Sequence, residues 1–181
     1  MRGLLIGIGM LAAADAAAFE YATLFEKGAW RTDVNTYEDG SLACETLVFG
    51  RDGVTLSYFS FPDGGMTLEL YSEGWDFGEA ERPTTYALQV DRIDPWEIEA
   101  TRTRNYVVSF FDFDDPAVSP LFREIYQGAS LVIRSEDGGV IDRFSLNGSA
   151  ANLNAHLECR ERIAAPGATG DPFRSEVTDP F

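Results

Sequence analysis

FSLNGSAANLNAHLEC, residues 144–159, is the stretch of sequence that decides the fold. Its first residues end a strand pattern, the Asn-Gly pair that follows predicts a tight turn, and Ser149 suits the N-cap of a short helix. That helix carries Cys159, and the only other cysteine of the chain is Cys44, in a predicted early strand. A disulfide between Cys44 and Cys159 would pin the C-terminal helix to the start of the sheet and close the fold.

Residues 1–18 have the pattern of a secretory signal peptide. Arg2 precedes an apolar run from Gly3 to Ala14, and three alanines at 16–18 supply the small side chains that a signal peptidase accepts. The run is shorter than the stretch of about 20 apolar residues that a membrane-spanning helix needs. We therefore predict cleavage before Phe19 and a bacterial protein that is periplasmic or secreted, without membrane insertion after the signal is removed. Export also makes a disulfide permissible.

The composition predicts one folded domain. The chain has 181 residues, of which 45% are hydrophobic and 13% aromatic, enough for a single sizeable core. We expect a β-rich domain over residues 19–163 and a disordered tail over residues 164–181, where Pro, Gly, Asp and Ser are frequent. The formal net charge of −16 argues against nucleic acid and anionic membranes as partners, because both need a basic face.

Short alternating runs separated by Asp-Gly turns are typical of an antiparallel meander. Residues 116–127 change to helical spacing, and a second helix is expected from Ser149 to about Arg162, with Leu153 and Leu157 facing the core. Residues 19–26 predict a leading edge segment or a short helical turn. The strand patterns cover residues 29–34, 42–49, 54–61, 66–71, 85–90, 96–100, 105–111, 129–134 and 140–146. About nine strands and two short helices, the last closing the fold, predict an α+β protein with a dominant antiparallel meander or sandwich.

Few residues suggest chemistry, and each has a simpler structural interpretation. His156, the only histidine, has no flanking nucleophile motif, which favours a surface or packing role. Asp112, Asp114 and Asp115 could bind calcium, but a strand end followed by a helix N-terminus explains them as well. Two cysteines and one histidine cannot form the usual tetrahedral zinc site, so we predict no metal and no cofactor.

Two further sets of residues leave a functional alternative open. Glu97 and Glu99 lie on one face of a predicted strand, where paired carboxyls could perform glycosidase chemistry, although solvated charge is the commoner role. Five aromatic residues could line a groove for a sugar or peptide, although core packing explains most of them at strand spacing. They are Trp30, Trp75, Trp96, Tyr58 and Tyr71.

Trp30 at the head of a strand, Cys44 and the closing segment 144–151 with Leu157 and Cys159 resemble small exported proteins of alphaproteobacteria. The named relatives among these are the invasion-associated locus B proteins. The resemblance implies a secreted, β-rich and non-enzymatic protein, and it carries over no functional residue.

Two functions therefore follow as hypotheses. The first is an exported, non-enzymatic protein that binds an unknown protein or envelope component through an aromatic groove or a sheet edge. The second is a small periplasmic hydrolase that acts through paired carboxylates. A cleft holding two carboxyls beside exposed aromatic side chains would favour the second. A smooth surface with one exposed apolar patch would favour the first.

Overall fold

The computed structural model describes residues 20–112 and 118–165. Within these residues, ten strands and two helices follow one another along the chain: β1 (Glu20–Lys27), β2 (Trp30–Thr36), β3 (Leu42–Phe49), β4 (Thr55–Ser60), β5 (Gly65–Tyr71), β6 (Arg82–Val90), β7 (Trp96–Thr103), β8 (Tyr106–Asp112), α1 (Val118–Gln127), β9 (Ser130–Ser135), β10 (Val140–Ser145) and α2 (Ser149–Ile163). The strands form one sheet in the order β1-β2-β3-β4-β5-β8-β7-β6-β9-β10. Every neighbouring pair is antiparallel.

The predicted α+β class, with a dominant antiparallel sheet and a closing C-terminal helix, is confirmed. The strands form a single sheet instead of two packed sheets, and β1 to β5 follow one another as a meander. The tenth strand is β1, which pairs with β2 and occupies the segment expected to be an edge segment or a helical turn. The predicted signal peptide, the tail beyond residue 165, and Asp114 and Asp115 lie outside the described residues.

The Asp-Gly pairs are hairpin turns, as the sequence predicts. Gly40, Gly53, Gly64 and Gly138 have φ angles of 79°, 87°, 92° and 84°, a region that suits glycine because it has no Cβ. In the β9–β10 turn, for example, Asp137 Oδ1 accepts a hydrogen bond from Ser135 Oγ. The turn composition therefore sets the hairpins, and through them the register of the meander.

The two faces of the sheet have different environments. We call the face covered by α1 and α2 the inner face, and the opposite one the outer face. The inner face holds the main core, which includes Leu56, Leu68, Leu88 and Ile133. The aromatic ring of Phe122, on α1, packs edge-on against Tyr58 of β4, with 5.3 Å between the ring centroids. Side chains alternate between the two faces along a strand, so every second side chain of β3, β4, β5 and β8 points to the outer face.

The sheet curves so that its last strand, β10, meets the beginning of β2. Trp30 of β2 donates from Nε1 to the carbonyl oxygen of Ser145 in β10 over 2.8 Å. Gly28 and Gly148, with φ angles of 68° and 103°, make the close approach possible. A Cβ on Gly148 would collide with the carbonyl oxygen of Lys27, and one on Gly28 would collide with that of Asn147. Gly148 is therefore required by this contact.

Helix α2 lies against β1, β2 and β3, but its orientation differs from the one predicted. Leu153 and Leu157 are only half-buried. The buried side consists of Ser149, Asn152, His156, Cys159 and Ile163. The prediction was wrong because hydrophobicity alone selected the face, whereas the inner face of β2–β4 offers hydroxyl partners there. Thr32, for instance, donates to Asn152 Oδ1 over 3.1 Å.

Ser149 is not the N-cap of α2. Gly148 occupies that position in the left-handed conformation. The Ser149 hydroxyl is instead buried and donates to the carbonyl oxygen of Ile125 over 3.2 Å. This hydrogen bond ties the beginning of α2 to α1.

The predicted disulfide is confirmed. Cys44 of β3 and Cys159 of α2 are bonded, with their α-carbons 6.0 Å apart and a sequence separation of 115. Both cysteines are fully buried, and Val34, Leu42 and Ile163 pack around them in a small second core. The disulfide therefore fixes the C-terminal half of α2 on the first three strands.

Candidate functional site

The predicted packing role of His156 agrees with the structure. The ring is 2% exposed, shares a 3.1 Å hydrogen bond between Nδ1 and Thr46 Oγ1, and shares a 2.9 Å one between Nε2 and Ser60 Oγ. Burial, with a smaller contribution from the charge of Arg160, lowers the pKa of His156 to about 3, so the ring is neutral at physiological pH. Ser60 is itself 1% exposed, and both ring nitrogens of His156 already share hydrogen bonds, so this serine–histidine pair offers no free nucleophile or base.

The other predicted acids do not form a site. Glu97 and Glu99 are both exposed on β7, and of these two only Glu99 lines a broad, shallow depression, which it shares with Glu136 and Phe110. This exposure agrees with the solvated-charge interpretation. Of the acid cluster near residue 114, only Asp112 falls in the described residues, at the end of β8.

The predicted aromatic residues are divided between the core and the surface. Trp30 and Tyr58 are buried, as core packing predicts. Trp75 and Trp96 are half-buried against the core, and Trp96 donates to Glu124 over 2.8 Å. Tyr71 differs, because it lies on the outer face beside Tyr106, with 4.9 Å between the ring centroids.

Tyr71 belongs to a concave site on the outer face, which we call the outer-face cleft. It has a volume of about 260 Å³ and is lined by Tyr37, Glu45, Thr55, Ser57, Phe59, Glu69, Tyr71 and Tyr106. The strand register explains how residues so distant in sequence meet. Ser57 of β4 lies opposite Glu69 of β5, and Thr55 lies opposite Tyr71, which in turn lies opposite Tyr106 of β8. Phe59 lies opposite Glu45 of β3.

Two half-buried carboxyl groups dominate the chemistry of the cleft. Glu45 accepts hydrogen bonds from Ser57 Oγ and from Asn35 Nδ2, each over 2.9 Å. Glu69 accepts one from Thr67 Oγ1 over 2.9 Å. Burial raises the pKa of both carboxyls above the ordinary value of 4.5. The hydrogen bonds to Glu45 partly offset this effect, whereas the charge of Glu45 raises the pKa of Glu69 further.

The environments of the two carboxyls therefore differ. Glu45 has two hydrogen-bond donors and lies near both the negative charge of Asp33 and the positive charge of Arg31, whereas Glu69 has one donor and the negative charge of Glu45 beside it. Burial and the charges of both glutamates also raise the pKa of Tyr37, so its hydroxyl remains a hydrogen-bond donor at neutral pH. The cleft thus presents acceptors and a donor close together.

A buried acid–amide pair lies next to Glu45. Asp33, opposite Glu45 in the register, is 1% exposed and accepts a 2.8 Å hydrogen bond from Arg31 Nε at its Oδ2. Asp33 Oδ1 and Asn35 Oδ1 are buried and accept no hydrogen bond from the described residues. Buried oxygens of this kind are rare in native proteins, and a bound water, an ion or a functional role usually accounts for them.

Aromatic side chains surround the acids. Phe49, Thr55, Tyr71 and Tyr106 form one row across four strands. Phe49 is 60% exposed. Phe110, on the outer face of β8, is 76% exposed. Exposed aromatic side chains grouped on one face are uncommon on a surface without a binding role. The outer face therefore combines hydrogen-bonding groups with flat apolar ones.

Sequence reasoning identified Tyr71 but missed Glu45, Ser57, Glu69 and Tyr37. The alternation of β3 and β5 carried a signal for the acids, because both are odd-numbered positions between even-numbered core residues. The pairing of β5 with β8, which brings Tyr106 to the cleft, has no local signal.

No three metal-binding side chains cluster anywhere in residues 20–112 and 118–165. The same part of the chain contains no helix that is both long and apolar enough to cross a membrane. Comparison of the chain with protein-family models, with curated proteins and with solved structures finds no match. The resemblance to small exported proteins of alphaproteobacteria stays a prediction.

Proposed function

We propose that this is an exported, non-enzymatic binding protein of a bacterial envelope, and that the outer-face cleft recognises a polyhydroxylated ligand such as a glycan chain. The single observation that carries the proposal is the grouping of Glu45 and Glu69 with the aromatic rings of Tyr71 and Tyr106 in one cleft. Carboxylates accept strong hydrogen bonds from hydroxyl groups. Aromatic faces contact the apolar C–H faces of sugar rings, so the two residue types suit the two sides of the same ligand.

The proposal of export rests on residues 1–18 and on the disulfide. Disulfides persist in oxidising compartments such as the bacterial periplasm, and Cys44 and Cys159 are bonded. We expect the protein recovered from the periplasm of a bacterial host to begin at Phe19. Intact-mass measurement of that fraction tests this expectation, and a mass that includes Met1 would contradict it.

The cleft is tested by direct binding of defined oligosaccharides. Suitable probes are β-1,4-linked N-acetylglucosamine oligomers, cello-oligosaccharides and malto-oligosaccharides, titrated by calorimetry. For the probe that binds, Glu45→Gln and Tyr71→Ala should each weaken affinity by about tenfold or more, since a hydrogen bond to a charged group contributes about 1.5–3 kcal/mol. Glu99→Gln is the matched control, because Glu99 is an exposed glutamate outside the cleft. This variant should bind the oligosaccharide with the affinity of the wild type.

The affinity should also depend on pH. The pKa values of Glu45 and Glu69 are raised by burial, so both carboxylates become protonated at a higher pH than free glutamate, whose value is 4.5. A protonated carboxyl loses acceptor strength, so affinity should be full at neutral pH and fall as the pH falls through these raised values. If none of the cleft variants changes the affinity for the oligosaccharide, the cleft is not the binding site.

The second candidate function is hydrolysis of a glycan by the same two carboxyls. The observation that favours it is their unequal environment, since a glycosidase needs one carboxyl protonated as acid and the other ionised. The two candidates differ in one readout. Incubation of the bound oligosaccharide with the protein should release no new reducing ends if the protein only binds. Release that Glu69→Gln abolishes would favour the hydrolase instead.

A further inference from the structure

A second cavity lies on the opposite side of the sheet from the outer-face cleft. It has a volume of about 420 Å³ and lies between α1, α2 and the inner face of β4 and β5. We call it the interhelical pocket. Its walls include Tyr58, Met66, Phe122, Tyr126, Leu153 and Leu157. This volume falls in the range of about 300–1,000 Å³ typical of small-molecule sites.

The walls of the pocket are largely apolar, and part of that apolar surface is not covered by any residue of 20–112 or 118–165. Leu153 and Leu157 are the two leucines of α2 that hydrophobicity assigns to the core, and both remain half-buried at the pocket. The polar side of α2 lies on the sheet instead, through Asn152 and His156. The packing of α2 thus leaves an apolar wall where a ligand can be buried.

One wall residue carries a buried hydroxyl without a well-aligned hydrogen bond to any of the described residues. Tyr58 is 3% exposed, and its Oη forms no well-aligned hydrogen bond with the described residues, although Thr46 and Tyr126 lie near enough to influence its pKa. Burial raises the pKa of Tyr58 to about 12, so the phenol stays protonated. A buried hydroxyl with poorly aligned partners gains from a better acceptor, such as an oxygen atom of a ligand.

Charge determines which ligand suits the pocket. Arg123 of α1 lines it, is exposed, and forms no ion pair with the described residues. None of the described residues that line the pocket is an aspartate or a glutamate. Arg123 is thus the one arginine or lysine among the described residues that line the pocket, in a chain with a formal net charge of −16. A guanidinium group pairs well with a carboxylate.

We propose that the interhelical pocket binds a small carboxylic acid with an aromatic or aliphatic body. The carboxylate pairs with Arg123 at the rim, the apolar body packs against Phe122, Leu153 and Leu157, and an oxygen atom at the inner end accepts a hydrogen bond from Tyr58. This site is independent of the proposed function, since it shares no residue with the outer-face cleft.

The test compares acids with neutral analogues on the full chain. Calorimetric titrations use 4-hydroxybenzoate, phenylacetate and octanoate, and for comparison benzyl alcohol and 1-octanol. We expect saturable binding of at least one acid, tighter than that of its alcohol. Arg123→Gln should weaken binding of the acid about tenfold or more, and should leave the alcohol within about twofold, since it removes only the charged contact.

Two control variants make the result specific. Arg92→Gln changes an exposed arginine in the β6–β7 turn, outside the pocket, and should leave every affinity unchanged. Tyr58→Phe should weaken 4-hydroxybenzoate, which has an oxygen at its far end, more than phenylacetate, which has none. Absence of saturable binding by all three acids, or equal affinity of wild type and Arg123→Gln for the acid, would overturn the proposal.

Discussion

Replacing Cys44 and Cys159 with serine is expected to lower the free energy of unfolding by about 2–5 kcal/mol. The bond closes a loop of 115 positions, and such a long loop removes much conformational freedom from the unfolded chain. It also fixes α2 on β1–β3, where the helix contributes few large apolar side chains of its own, chiefly Ile163. Chemical denaturation of the wild type and the double variant, compared at one pH, measures the loss.

Two controls separate the bond from the substitution. The double Cys→Ala variant avoids buried serine hydroxyls, and it should lose a similar amount if the cross-link is the cause. Wild type unfolded in the presence of a reductant should lose the same stability, whereas neither variant should respond to the reductant. Two free thiols titrated in the denatured, unreduced wild type would contradict this account of how the fold is closed.

Asp142→Ala is expected to destabilise the protein by about 3 kcal/mol, because it removes the charged acceptor of three backbone N–H groups, of which that of Val54 is buried. Asp142 of β10 is fully buried, and its carboxylate accepts hydrogen bonds from the backbone N–H groups of Arg51, Asp52 and Val54 over 2.9–3.1 Å. These three residues form the turn between β3 and β4. Asp142 therefore links β10, the last strand of the sheet, to the turn between β3 and β4.

The same denaturation experiment with matched variants tests the role of Asp142. Asp94→Ala removes an exposed aspartate in the β6–β7 turn and should cost less than about 0.5 kcal/mol. Gly50→Ala should also destabilise, because a Cβ at Gly50 would collide with the Asp142 carboxylate. A loss below 1 kcal/mol for Asp142→Ala would mean that the turn finds other acceptors and that the sheet ends are held together elsewhere.

The local features of the fold could be predicted from the sequence, because short-range chemistry determines them. Asp52-Gly53 predicts its hairpin from the left-handed conformation that glycine allows. The pairing of β6 with β7 follows from two alternating runs with a short turn between them. Cys44 and Cys159 could be paired since an exported chain with two cysteines has one intramolecular pairing.

The features that were missed depend on contacts between distant segments. The choice of the α2 face that packs on the sheet depends on hydrogen bonds between its polar side chains and Thr32, Thr46 and Ser60 of the sheet. Asp142 has no local signal, because the turn that it stabilises lies about ninety positions earlier. Hydrophobic periodicity carries no information about either contact.

The outer-face cleft has one feature that the local sequence predicts and one that depends on contacts between distant segments. Alternation predicts that Glu45 faces away from Cys44 and Thr46, and the structure agrees. Alternation does not predict that β8 follows β5 in the sheet, with β7 and β6 beyond it. Only that order brings Tyr106 beside Tyr71 and gives the acids their aromatic wall.

The most direct test of the proposed function is a titration of ¹⁵N-labelled protein with the oligosaccharide that binds most tightly, followed by amide chemical shifts. We predict that the largest shifts fall on the outer face, at Ser57, Glu69 and Tyr106, while Leu153 and Leu157 on the other side of the sheet stay unchanged. Glu45→Gln should reduce the shifts at equal ligand concentration, and Glu99→Gln should not. Shifts confined to residues outside the cleft, or no saturable shift with any of the oligosaccharides, would contradict the claim that the cleft binds a glycan.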